Sequence, residues 1–271
     1  MKKLSSNLYI LLCFAFLYLP IIILIIFSFN ESKGTIWTGF SLKWYKELIN
    51  NELILSSLFN TLLIAFIASF FATILGTAAA FGIHYMKKLP KNVMKNLTYL
   101  QILNPEIVTG ISLMLLFTFF RLTPGYITLV LAHITFCVPT VVLSVLPKLR
   151  QLNINLYEAA LDLGCNGRQA FMKVVIPEIL PGIVTGALMA LTYSIDDFVI
   201  SYFTSGPTSQ TLPITIYSMT KKRISPEINA LSTIIFVVVL AILVISNLNG
   251  AKKEKEDAKK VTAFNSKNSL N

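Results

Sequence analysis

Charge is scarce in this sequence: Asp, Glu, Lys and Arg make up 13% of the 271 residues, against 55% hydrophobic. With a mean hydropathy of +0.69, that scarcity argues against an ordinary water-soluble domain and makes membrane integration the default reading. Cysteine is sparse as well. Cys13, Cys137 and Cys165 are scattered, with no CxxC and no even pairing, which leaves neither a disulfide framework nor a zinc site. The two histidines, His84 and His133, stand singly, and neither HExxH nor GxSxG occurs, so the chain reads as a non-enzyme without a metal site. A Walker A pattern is also missing. The chain therefore cannot hydrolyse ATP itself, no cofactor of its own is expected, and any ATP and Mg belong to a partner.

Long apolar runs, by contrast, are abundant. About 20 apolar residues cross about 30 Å of hydrocarbon as a helix, and six stretches qualify: roughly residues 8–29, 57–85, 97–120, 125–146, 182–204 and 228–248. Lys2 and Lys3 precede the first, as in a secretory signal. Its apolar run exceeds an h-region and lacks a small-residue cleavage site, which favours a retained anchor. The expected architecture is an all-α membrane protein with a transmembrane domain over 1–249 and a charged, disordered tail over 250–271.

The net charge of +10 does not point to nucleic acid, because no basic face or base-stacking motif accompanies it. Much of it sits in short loops, where Lys and Arg set topology. Sixteen of the 23 basic residues fall at the termini, in the Lys87–Lys95 loop or in the Lys148–Lys173 segment. Both termini and both of those loops are thereby assigned to the cytoplasm. Lys221, Lys222 and Arg223 run against the trend on the other side. The external segment 30–56 carries Trp37, Phe40, Trp44 and Tyr45, which suit either the lipid interface or a docking surface.

The strongest local signal lies in the coupling loop 147–181, between the fourth and fifth spans. Asn153 or Asn155 can cap a first helix carrying Leu156, Ala159, Ala160 and Leu163 on one face, and Gly164 ends it. Asn166 and Gln169 then form a capping-box pattern for a second short helix bounded by Pro177. Such a hairpin is too polar to span. It lies on the membrane surface or fills a groove on another protein.

Glu158 Ala159 Ala160, Gly164, Ile176 and Leu180 Pro181, at these spacings, resemble the EAA loop of permease subunits of bacterial ABC importers. The resemblance extends through Pro20–Leu24, Lys43 Trp44 Tyr45, His133–Cys137 with Pro139, Ser194 Ile195 Asp196 Asp197, Gly206 Pro207 and Ile216–Met219, which look like the PotC-type subunits of spermidine/putrescine importers. It implies six transmembrane helices in the type I importer permease fold, with a cytoplasmic coupling helix. Leu156, Glu158, Ala159, Ala160, Asp162, Leu163 and Gly164 would then engage an ABC ATPase dimer of PotA type. It further implies a second permease of PotB type, an external polyamine-binding protein of PotD type and residence in the bacterial inner membrane.

The residues give their own pointer to a substrate. Away from the span ends, the formal charges are Glu106, Asp196 and Asp197, all acidic. A carboxylate there is costly and should face a pathway or a partner. Asp197 lies at helical spacing with Tyr193, Ser194 and Ser201, a polar stripe, which favours it over Asp196 as the pathway-facing acid. Counting 1.5 Å per residue sets Asp197 roughly 24 Å above Pro181 and Glu106 roughly 14 Å from Leu97, two depths along one route for an extended polycation. Tyr193, Phe198, Tyr202 and Phe203 add cation–π surface. Two other readings stay open: that the acids bind a partner permease or cap broken helices, and that the chain is a self-sufficient secondary transporter or channel for organic cations.

Overall fold

The computed structural model describes residues 2–33, 36–222, 226–238 and 240–241. Arg223, residues 242–248 of the sixth expected span and the tail at 250–271 lie outside them. Among the described residues the chain is helical throughout, and an isolated bridge between Asn30 and Phe40 is its extended pairing. The helices in order are α1 Lys2–Ser28, α2 Lys43–Ile49, α3 Glu52–Tyr85, α4 Lys88–Leu103, α5 Glu106–Phe119, α6 Tyr126–Gln151, α7 Ile154–Asp162, α8 Gly167–Ala170, α9 Ile176–Asp196, α10 Val199–Thr204 and α11 Leu212–Lys222. A further apolar helix, α12, covers Pro226–Val238.

Four segments are long and apolar enough to cross a bilayer as single helices: Tyr9–Ser28, α3, α6 and Gly167–Asp196. The third expected span is different. It consists of α4 and α5, bent by 104° at Asn104 and Pro105. Proline there supplies no N–H, and Asn104 adopts an extended backbone (ψ 133°), so the helix cannot run through. The fifth expected span is also interrupted, at Asp197 (φ −62°, ψ 122°), where α9 ends and α10 begins. Among the described residues, four single helices and one bent pair meet the length and hydropathy of a span, and α12 overlaps the sixth expected one.

The chain divides into two compact units, residues 1–51 with 219–271 and residues 52–218. In the first, the segment after α1 folds back through its aromatic residues. Trp44 is 1% exposed and its indole N–H donates to the Asn30 carbonyl at 2.6 Å. Phe29 stacks on Phe40, and the Tyr45 hydroxyl meets the Ser28 hydroxyl at 2.7 Å. Trp44 is therefore a pin inside its own unit, neither of the two roles its sequence context suggests, whereas Trp37 and Phe40 do stand exposed.

In the second unit, α3, α6 and α9 share one apolar core: Ala72, Ala80 and Ile83 meet Val141, Val145, Leu149, Ile179 and Ala190. Helices in lipid gain little from burying apolar surface against one another, so close approach of small residues supplies the packing. At Gly76 a Cβ would lie 2.6 Å from the Val141 Cβ, and at Gly186 it would lie 3.1 Å from the Val141 Cα. Both glycines face one residue of α6, and that crossing holds the bundle. The segment 205–211 is fastened to it: Asn60 Nδ2 donates to the Gln210 carbonyl, and the Tyr126 hydroxyl donates to Asn60 Oδ1.

Candidate functional site

Two regions carry the features singled out in the sequence. The hairpin comes first in the chain. Asn153 caps α7, its side chain accepting from the Asn155 N–H at 3.1 Å. The helix stops where expected. Gly164 takes φ +88°, and the Cys165 N–H returns to the Ala160 carbonyl at 3.0 Å, closing a left-handed C-terminal turn. The capping box follows, with the Gln169 N–H donating to Asn166 Oδ1 at 2.9 Å and the Asn166 N–H donating to Gln169 Oε1 at 3.1 Å. The second helix does not end at Pro177, however. It passes through a π turn, Phe171–Val175, straight into α9, where Pro177 occupies the first turn. Proline donates no N–H to the turn before it, and the wider π turn just ahead of Pro177 is where the helix accommodates that loss.

No residue of α7 is buried. Leu156, Glu158, Ala159, Asp162, Leu163 and Gly164 are exposed, Leu163 by 86%, while Ala160 and Tyr157 are half-buried on the side turned toward α8 and the π turn. Phe171 in that turn packs on Phe81 of α3, with ring centroids 5.1 Å apart. The exposed face of α7 thus stands at the end of a mechanical line: π turn, α9 and the α3–α6–α9 core.

The second region is a cavity of about 410 Å³ at the two helix interruptions, lined by residues that include Gln101, Asn104, Glu106, Thr140, Tyr193 and Asp196. Residues of both the α4–α5 bend and the α9–α10 break line it. At Gly110 the packing of α5 on α10 is so close that a Cβ would sit 2.8 Å from Phe203. The structure therefore brings Glu106, Tyr193 and the Asp pair together. The depth counted to Glu106 from Leu97 does not apply, because that span bends by 104° on the way, whereas the count from Pro181 runs along unbroken α9 to Asp196.

Both aspartates line the cavity, and the break gives them different surroundings. Asp197 is 8% exposed, and its carboxylate is occupied in capping α10. The Ile200 N–H donates to Oδ1 at 3.2 Å, and the Ser201 N–H and hydroxyl both donate to Oδ2 at 2.7 Å. An acid suits that place, since the amino end of a helix is positive. Asp196 is exposed to the cavity at the carboxyl end of α9, where its charge adds to that of the last carbonyls. The complement of such a place is a cation. Glu106, also exposed, lies in the first turn of α5, and the Asn104 amide beside it is held by Thr109 Oγ1 at 2.9 Å.

Ser194 and Ser201, expected in the polar stripe, are 2% and 0% exposed and turn away from the cavity toward His133. His133 is 0% exposed, with Nδ1 2.6 Å from Ser194 Oγ and Nε2 3.0 Å from Ser201 Oγ. In the sequence His133 stood out as a lone histidine without an assigned site role, and Gln101, Asn104 and Thr140 were not singled out. A lone polar residue in an apolar run was the available signal for His133. Among the described residues no group of three His, Cys, Asp or Glu side chains is placed to hold a metal ion.

With this geometry in view, the likenesses to known proteins are informative. Residues 72–250 match the family described as binding-protein-dependent transport system inner membrane component. The chain is 38% identical over 243 residues to the spermidine/putrescine transport system permease protein PotC of Escherichia coli K12, covering 89% of this chain and 92% of that one. It is 39% identical over 234 residues to the putrescine transport system permease protein PotI of the same organism, covering 83% of each. The fold is shared with a chain from the crystal structure of a bacterial ABC transporter involved in the import of the acidic polysaccharide alginate, at TM-score 0.70 and 12% identity over 91% of this chain and 94% of that one. A chain with this helix order, this hairpin and these relatives belongs to the binding-protein-dependent transport system inner membrane components, the permeases of ABC importers.

Proposed function

We infer that this chain is a permease subunit of an ABC importer that carries polyamines, spermidine or putrescine, into the cytoplasm. The observation that carries the substrate class is Asp196 at the carboxyl end of a broken membrane helix, in one cavity with Glu106 and Tyr193. Carboxylates, helix-end carbonyls and an aromatic face all attract a primary ammonium. An inside-negative potential favours entry by about 2.3 kcal/mol per charge per 100 mV. ATP hydrolysis then serves chiefly to gate the path and impose direction.

The drive enters at α7. Its exposed Leu156, Glu158, Ala159, Asp162 and Leu163 dock in an ATPase dimer of PotA type, with both termini on the same, cytoplasmic side. A PotB-type permease completes the membrane part, and a PotD-type receptor delivers the amine from outside. Catalysis and nucleotide binding belong to the ATPase.

The test is uptake of labelled amine by vesicles holding the full assembly. Asp196→Asn with Glu106→Gln lowers uptake at least tenfold while receptor-stimulated ATP hydrolysis persists, and Glu158→Lys abolishes co-purification of the ATPase without loss of membrane insertion. Unchanged uptake in the double variant overturns the amine path. A wild-type chain that retains no ATPase returns the reading to a secondary transporter.

A further inference from the structure

His133 is buried behind the cavity wall, the transport scheme assigns it no task, and both of its ring nitrogens have partners. The ring sits on α6 and reaches both sides of the α9–α10 break: Ser194, two residues before Asp196, and Ser201, in the first turn of α10. The direction of each bond follows from the donors available. The Ser201 hydroxyl spends its proton on Asp197 Oδ2 at 2.7 Å, so its oxygen accepts from Nε2–H. In a neutral ring Nδ1 is then the acceptor, and the Ser194 hydroxyl donates to it at 2.6 Å. The result is one directed chain: Ser194 to His133, His133 to Ser201, Ser201 to Asp197. Nε2 also lies 3.5 Å from Asp197 Oδ2.

A serine, a histidine and an aspartate in line suggest a nucleophile, but the geometry points elsewhere. His133 and Ser201 are 0% exposed and Ser194 is 2% exposed, so no substrate atom reaches them. What the chain spans is the helix break itself. Two ring nitrogens, rigidly opposed, fix the distance between the end of α9 and the start of α10, and α6 supplies the anchor. The neighbouring Phe136 ring stands edge-on to the imidazole at 5.3 Å and lines the cavity, so the same residue also sets part of the wall. A rotation of α9 about the break would carry Asp196 out of the cavity. With Ser194 tied to a ring that Ser201 holds from the other side of the break, that rotation breaks the buried Ser194–His133 hydrogen bond in a medium that offers no replacement.

We propose that His133 is a positioning residue for transport: it straddles the α9–α10 break and holds the Asp196 carboxylate toward the translocation cavity. The inference rests on the reading of that cavity as the amine site. It gives His133 no contact with the substrate, and its effect is exerted through Ser194 and Ser201.

The experiment measures amines imported per ATP hydrolysed by the full assembly in vesicles with receptor present. Loss of folded assembly lowers import and hydrolysis together and leaves that ratio unmoved, whereas a misdirected carboxylate lowers the ratio. His133→Leu should reduce it at least fivefold, with receptor-stimulated hydrolysis within twofold of wild type. His133→Gln, which retains a donor and an acceptor, should recover part of it, and Ser194→Ala and Ser201→Ala should each give an intermediate loss. If His133→Leu yields no assembly, the two serine variants and His133→Gln decide the matter on the same ratio. A ratio unchanged in His133→Leu, or in both serine variants when the leucine variant does not assemble, overturns the proposal. Asp196→Asn, run alongside, separates the two levels. An unchanged ratio there sinks the amine-site reading itself, while a fall there with no fall in the His133 series sinks this inference alone.

Discussion

The chain interrupts its helices at Gly164 and at Asp197, and different forces hold the two places. The interruption at Gly164 is exposed and made by neighbours in sequence: a positive φ, a return bond from Cys165 to Ala160 and a capping box three residues wide. The one at Asp197 is buried, and it draws on His133, which lies 61 residues from Ser194 and 68 from Ser201. Water accounts for the contrast. A turn in solvent can leave carbonyls to water, so backbone conformation and a cap suffice. A turn inside hydrocarbon has no such recourse, and every freed N–H and hydroxyl must find a protein partner. The hairpin is consequently a local device that can be docked against, and the break is a tertiary device that can hold a charge in place.

If that contrast is right, the largest effect follows from removing the buried cap. Asp197→Ala strands the Ile200 N–H, the Ser201 N–H and the Ser201 hydroxyl. Each buried donor left without an acceptor costs about 1–3 kcal/mol, which puts the total at about 3–5 kcal/mol after partial relaxation. Asp197→Asn keeps one acceptor oxygen and loses less. Thermal unfolding of the purified assembly reads both variants. Should Asp197→Ala cost no more than a change at the hairpin, the break is not held in the way described, and the comparison fails.

The same contrast decides what was legible in the sequence. The hairpin was readable because its determinants are adjacent: Asn153, Gly164, Asn166 and Gln169 each act within a few residues, and the structure forms each cap where the spacing places it. Apolar length likewise located the single-helix spans. The α4–α5 bend was half-visible in Pro105, but a proline tells where a helix weakens and not that it turns by 104°. The break at Asp197 was hidden. Asp196–Phe198 contains neither Gly nor Pro, and a wheel drawn through it shows no interruption. The cap that Asp197 gives Ile200 and Ser201 is local but does not announce itself inside an apolar run, and the serines' long-range bonds to His133 leave no periodic trace. Trp44 misled for a related reason: an aromatic beside a membrane looks interfacial until its indole finds the Asn30 carbonyl.

A smaller effect is expected at Gly164, and it sharpens the contrast because space is not at issue. A Cβ there would meet nothing within 4 Å, so a substitution is opposed by backbone strain alone. Gly164→Val should cost about 1–2 kcal/mol, since a β-branched residue is poorly accommodated at φ +88°. Gly164→Asn should cost less, because asparagine tolerates the left-handed region. Amide hydrogen exchange is the measurement. Protection of the last turn of α7 should fall by about tenfold in the valine variant, while amides of α3 and α6 keep theirs. A loss of protection shared by the core would mean that the hairpin is not the local unit its caps suggest.

The smallest effect belongs to Asn166. Alanine there removes the oxygen that accepts from the Gln169 N–H at 2.9 Å but keeps the backbone N–H that donates to the Gln169 side chain at 3.1 Å. Half of the capping box survives, and the site is exposed, so water can take over the freed donor. A loss of about 0.5–1 kcal/mol is expected, at the low end for a helix cap. Exchange of the Gln169 and Ala170 amides should quicken several-fold, and uptake should stay near the wild-type rate, because α7 still ends at Gly164 and its docking face is untouched. Uptake falling in step with the exchange would show instead that the entry to the π turn is part of the drive line between ATPase and cavity, and that even the exposed interruption works through its stiffness rather than through its surface.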